Sequence, residues 1–145
     1  MTCLTCLSNS GEQRISPGPT IHEGVYWYLE HAYPTTLKGW LVVVLKRHVE
    51  ALHELTAEEF AELGLIQARA TKLLFEVVDC EKEYLMCLAE SEGFHHIHVH
   101  IVPKSRDLPD ELKATRIFAL LKATAEEALP TQEVKAFCEL LRERW

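Results

Sequence analysis

The apolar positions of the chain change period several times, and each period predicts an element. Residues 24–30 (GVYWYLE) are dense in aromatic and β-branched side chains and read as a strand. Residues 34–39 supply a turn, and residues 40–45 (WLVVVL) form a short continuous apolar run whose valines and length favour a central strand. Together they predict a hairpin. Thr56 followed by Glu59 has capping-box spacing, and Phe60, Leu63, Ile66, Ala70, Leu73 and Val77 then recur near 3.6 residues, so an amphipathic helix is expected over 57–78. Residues 84–88 and 97–102 are further strand candidates, separated by 89–94, and Pro103 is expected to end the second. Beyond Pro109 the spacing turns helical again, with Thr131 as the expected cap of a last helix running toward Trp145. Residues 8–20, rich in Ser, Gly and Pro, read as loop. Strands that can pair antiparallel, a long helix between them and helices at the end predict an α+β fold in one domain spanning residues 1–145.

Charge and composition narrow the partners. Against 15 Lys and Arg stand 22 Asp and Glu, and a formal charge of −7 argues against a chain that wraps duplex nucleic acid. Small anions need only a local positive patch, for which Lys46, Arg47, Lys104 and Arg106 are the candidates. Residues 1–10 have neither the basic start nor the apolar run of a secretory leader, and no apolar run approaches a membrane span, so no membrane partner is expected. Five cysteines is an odd number for a disulfide framework and favours a reducing, cytoplasmic setting, with Cys80, Cys87 and Cys138 as ordinary thiols. Cys3 and Cys6 form a C-x-x-C pair, a spacing shared by zinc sites and thiol redox motifs. A redox pair would open a helix after a strand, and nothing before Cys3 provides that strand.

The segment His95-His96-Ile97-His98-Val99-His100-Ile101-Val102 carries the chemistry. Side chains alternate along a strand, so His96, His98 and His100 share one face and Ile97, Val99 and Ile101 the other. Neighbours on that face lie roughly 6.5 to 7 Å apart, close enough to serve one phosphate or one metal ion. The residues alone leave metal ligation and nucleophilic or acid-base chemistry as equal alternatives, with three solvated histidines as the bland one. His22, His31, His53 and His95 read as solvated or packing residues, and Trp27, Tyr28 and Trp40 as core or dimer packing.

The pattern from His96 to Val102, His-φ-His-φ-His-φ-φ with φ apolar, resembles the signature of the histidine triad (HIT) family, and Pro103-Lys104 is similar to the Pro-Arg that follows it there. Residues 39–48 resemble the family's Gly-His-x-Leu-φ-φ-Pro-Lys-x-His stretch, and residues 55–59 its Asp-Leu-x-x-Glu-Glu. The resemblance implies an antiparallel sheet of about five strands with one long helix between strands, and a homodimer. It implies a nucleotidyl hydrolase or transferase acting on the α-phosphate of nucleotide conjugates such as dinucleoside polyphosphates or nucleoside phosphoramidates. His98 would be the nucleophile that forms a nucleotidyl-histidine intermediate, and His100 would bind the phosphate. An apolar pocket near the first two strands would receive the nucleoside. In one branch of the family a C-x-x-C pair joins two histidines at a structural zinc, which implies Cys3, Cys6, His48 and His96 as ligands here. The chain departs from the family's Gly-Gln-(Ser/Thr)-φ-x-His at residues 91–96, Ser-Glu-Gly-Phe-His-His. Glu92 cannot donate as glutamine does, and either it or Glu90 could be the carboxylate that matters. Two competing readings remain, a nucleotide-binding or adaptor module with little turnover and a zinc hydrolase that uses the triad itself as ligands.

Overall fold

The computed structural model describes residues 2–145; Met1, the first residue of the stretch read for a leader, lies outside them. A short helix α1 (Leu4–Ser10) precedes β1 (His22–Glu23), β2 (Trp27–His31) and β3 (Leu41–Leu45). The long helix α2 (Ala57–Val77) then leads to β4 (Lys82–Met86), β5 (His98–Lys104) and a last helix α3 (Thr131–Arg144). The five strands form one antiparallel sheet in the order β1-β2-β3-β5-β4, so the triad strand β5 lies inside the sheet and β4 is an edge. This is the expected α+β arrangement.

Register explains how the sheet sorts its residues. Val43 lies opposite Val99 and Leu41 opposite Ile101, and all four belong to the core that α2 covers with Leu63, Ile66, Ala70, Leu73 and Leu74. On the other face Val42 lies opposite His100 and Val44 opposite His98. That face is closed in part by a 3-10 segment, Ala114–Leu120, whose Ile117 packs with Trp40 and Val102. The alternation thus sends the aliphatics of β5 inward and leaves its histidines for a site.

Several local expectations change. The hairpin forms, but β2 begins at Trp27 rather than at residue 24, because Glu62 accepts the backbone N–H groups of Val25, Tyr26 and Trp27 and holds that stretch in a turn. Pro103 does not end β5, which runs to Lys104. Its pairing with β3 stops at Ile101, so beyond that residue β5 has β4 as its single neighbour and a residue without N–H is tolerated. Thr131 is the first residue of α3 and not its cap; Pro130 occupies that position without a side-chain bond. Residues 8–10, read as the start of a loop, instead end helix α1, whose cap is Cys3 with its sulfur accepting the Cys6 N–H. Helix α2 starts with the capping box expected of Thr56 and Glu59.

Candidate active site and metal centre

Two glycines let the backbone bring the site together. Gly39 turns the chain into β3 at φ +96°, where a Cβ would press on Pro103 and Val78. Gly93, at φ +83°, lies against Leu4, and its carbonyl accepts the Leu4 N–H at 3.0 Å. That contact docks α1 beside the loop that feeds the triad strand.

Cys3, Cys6, His48 and His96 come together at this junction, with one potential ligand atom of each within 4.8 Å of the others. The Cys6 sulfur lies 3.4 Å from His48 Nδ1 and 3.5 Å from His96 Nδ1, and the Cys3 sulfur 3.7 Å from His96 Nδ1. A tetrahedral zinc with ordinary Zn–S and Zn–N bonds separates its sulfur and nitrogen ligands by roughly 3.6 Å, which these three contacts match, so the donor set fits such an ion. The far nitrogens are committed elsewhere. His96 Nε2–H donates to the Leu45 carbonyl at 2.6 Å and His48 Nε2–H to the Glu50 carboxylate at 2.7 Å, which leaves both Nδ1 lone pairs for the cluster. At Cys3 burial opposes ionisation, but hydrogen bonds from Cys6, its backbone N–H first, outweigh it and lower the thiol. Burial and the neighbouring Cys3 push the Cys6 thiol up to about 11. Ionising both thiols together would call for a cation between them.

His98 and His100 turn to a different space, a cavity of about 560 Å³. His98 Nδ1–H donates to the His96 carbonyl at 2.8 Å, so its lone pair sits on Nε2. Burial lowers its pKa from the ordinary histidine value, which keeps the ring neutral near pH 7. His100 follows at a ring distance of 4.9 Å, and burial with the nearby His98 pushes it down to about 3. Its Nδ1 accepts the indole N–H of Trp40 at 2.9 Å.

The cavity wall is mostly apolar, with Val42 and Val44 of β3, Tyr33 and Pro34 of the turn, and Phe118 and Leu121 opposite. Thr5, Ser8 and Asn9 of α1 form one side. Glu90 and Ser91 line the mouth and Glu92 does not, so of the two carboxylates weighed from the sequence Glu90 is the one placed at the site. The expected basic patch is not there. Lys46 pairs with Glu23, Arg47 with Glu59, Lys104 with Glu81 and Arg106 with Asp79, and none of the four lines the cavity; Lys122 does.

Of the residues read as bland, His22 stacks on Trp145 at 4.8 Å, whereas His31 is buried, donates to the Ala32 carbonyl and accepts the Gly39 N–H. Trp40, read as packing, proves to be the hydrogen-bond partner of a triad histidine. At the head of the apolar run 40–45 it reads as one more core residue.

No protein-family model matches the chain, and no curated protein matches it by sequence. Solved structures do match its shape. A hypothetical histidine triad nucleotide-binding protein from Sulfolobus tokodaii strain 7 is 19% identical with a TM-score of 0.71, over 97% of this chain and 90% of that one. A zinc-bound histidine triad family protein from Mycobacterium smegmatis is 19% identical with a TM-score of 0.63, over 100% of this chain and 99% of that one. A histidine triad protein from Bradyrhizobium japonicum is 19% identical with a TM-score of 0.70, over 88% of this chain and 90% of that one. With its antiparallel five-stranded sheet, its long central helix and its histidine-bearing inner strand, the chain has the histidine triad fold.

Proposed function

We propose that the chain is a histidine triad nucleotidyl hydrolase or transferase that attacks the α-phosphate of a nucleotide conjugate through His98. The observation that carries this reading is the pair of complementary rings on the cavity wall. One presents a free Nε2 lone pair and the next an Nε2–H donor, both held by their Nδ1 atoms. A neutral imidazole is a competent nucleophile near pH 7, and a covalent intermediate divides one displacement into two easier ones. His98 Nε2 forms a bond to phosphorus while the bond to the leaving group breaks and its electron pair departs with that group. Water or another hydroxyl acceptor then attacks the same phosphorus, breaks the phosphorus–nitrogen bond and returns the lone pair to Nε2, while its proton passes to the departed group or to solvent. The His100 Nε2–H donates to a non-bridging oxygen as charge builds there.

The nucleoside fits the apolar cavity beside β2 and β3, with dinucleoside polyphosphates and nucleoside phosphoramidates as the substrate classes. Zinc held by Cys3, Cys6, His48 and His96 organises the N-terminus and the start of the triad strand; four protein ligands leave no open position for substrate. The same geometry speaks against a hydrolase with all three triad histidines on one ion, because His96 turns to the thiols while His98 and His100 line the cavity. A second copy of the chain is the expected partner, since Leu65 and Phe75 of α2 and Leu85 on the free edge of β4 are exposed. Free thiols at all five cysteines suit a reducing, cytoplasmic setting.

Mixing the protein with a panel of nucleotide conjugates, quenching rapidly and weighing the intact chain tests the reading. One nucleoside monophosphate should add to His98 in wild type and not in His98→Asn. Nucleotide binding without adduct or turnover favours the binding module, which Glu90 at the mouth would suit by repelling a leaving phosphate. Turnover without adduct, lost on chelation and regained with metal, favours the zinc hydrolase.

A further inference from the structure

Trp40 stands immediately before β3 with its indole fully buried, and its Nε1 lies 2.9 Å from His100 Nδ1. An indole nitrogen has only a proton to give. The acceptor must therefore be a lone pair on Nδ1, which puts the single proton of a neutral His100 on Nε2. A second proton, on Nδ1, would set two N–H groups against each other in a buried space. Phe118 closes the arrangement, edge-on to His100 at 5.0 Å and to Trp40 at 5.5 Å. Val42 of β3 and Met86 of β4 flank His100 in the sheet. Among the described residues no other side chain bonds to the His100 ring.

We propose that Trp40 is a positioning residue for phosphoryl transfer, whose indole N–H locks both the tautomer and the rotation of His100 so that Nε2–H points at the phosphate oxygens. The proposal rests on the reading of His98 as nucleophile and His100 as phosphate donor. It goes beyond that reading because it assigns to a core tryptophan the direction of the donor. His98 reaches the same end differently, through a backbone carbonyl that takes its Nδ1 proton. An N–H donor at Nδ1 of one ring and a C=O acceptor at Nδ1 of the next make adjacent imidazoles complementary, one a donor and one a nucleophile, at a single pH.

The test uses ¹⁵N-labelled histidine in the full chain at one pH near 7.5, with Trp40→Phe and Trp40→His beside wild type. Wild-type His100 should show a protonated Nε2 and a hydrogen-bonded, unprotonated Nδ1. Trp40→Phe keeps an aromatic ring but loses the donor, so that signature should disappear and kcat should fall about tenfold, less than the hundredfold typical of deleting a donor outright. KM should change by less than about threefold, since the contact strengthens in the transition state. Trp40→His leaves a larger void but returns a ring N–H at the equivalent position, and should recover part of the loss although it is the less stable variant. Packing alone predicts the reverse order. The proposal is overturned if wild-type His100 carries its proton on Nδ1 or is charged, if the signature survives in Trp40→Phe, or if kcat of the two variants follows the volume removed. Failure of the functional reading is separate: wild type would form no adduct at His98, and the nitrogen spectra would still decide whether the lock exists.

Discussion

His98 and His100 are two residues apart on one strand, but their removal should be felt very differently. On the proposed mechanism His98→Ala takes away the atom that would bond to phosphorus and should abolish turnover while nucleotide binding persists. A rate within about tenfold of wild type, only about 1.4 kcal/mol in the barrier, would refute the covalent route. On the same reading His100→Ala would remove one donor to a charge that develops in the transition state, for which about a hundredfold in kcat is expected. Single-turnover kinetics on both variants check the pair. Period-two spacing was enough to put both rings on one face, because a strand leaves no other choice. What holds them was not legible. The His96 carbonyl is backbone and the Trp40 indole is 60 residues away in sequence, so neither leaves a local pattern. The mouth is similar: alignment of short motifs drew attention to Glu92, whereas the loop conformation places Glu90 and Ser91 at the cavity.

Helix α1 joins the two halves of the site. Its N-cap Cys3 and first-turn Cys6 join His48 and His96 in the cysteine and histidine cluster, and the same seven-residue helix puts Thr5, Ser8 and Asn9 on the cavity wall. A helix this short does not hold itself in water and depends on its tertiary contacts. Cys3→Ser or Cys6→Ser should therefore lower bound zinc from about one per chain, reduce the melting temperature and weaken nucleotide binding. The rate at saturating substrate and low temperature should remain measurable, because neither cysteine meets the reacting phosphorus. Metal analysis, calorimetry and single-turnover rates on one preparation separate these effects. If the chemistry vanished in a folded, zinc-free variant, the ion would be catalytic. The short helix escaped detection from sequence because seven residues hold too few apolar positions to show a period, and because serine and asparagine also suit a loop. Helix α2 shows the opposite case, with 21 residues against seven to establish a period. Its start was visible in Thr56 and Glu59, and Glu59 also binds Arg47 through two nitrogens while lying fully buried. Glu59→Ala should cost about 1 to 3 kcal/mol in urea unfolding, from the lost cap and the stranded partners.

The response of the whole molecule to acid follows from the histidines that it buries neutral. Burial pushes His31 down to about 4, and burial with His98 pushes His100 down to about 3, against 6.5 for an exposed ring. Between pH 6.5 and pH 4 the unfolded chain binds protons at these two positions and the folded chain does not. The stability they permit is therefore present above pH 6.5 and declines as pH falls toward 4, with His100 extending the decline toward 3. Glu59 adds a later loss. Its hydrogen bonds from Arg47 hold it down to about 2, so its contribution is full above pH 4.5 and disappears as pH falls toward 2. Urea unfolding should show stability falling from pH 7 to pH 4.5 before that carboxylate begins to protonate. His31 gives the decisive comparison. It donates to the Ala32 carbonyl and accepts the Gly39 N–H, so His31→Leu should be less stable than wild type at pH 7.5. That variant should also lose less stability between pH 6.5 and 4.5, because one of the groups that titrates on unfolding is gone. Any metal held by the cysteine and histidine cluster would be released by protonation in both proteins alike, so the difference between their slopes isolates the one ring. Parallel slopes would mean that His31 takes up its proton within the fold, and that the acid response comes from the metal ligands instead.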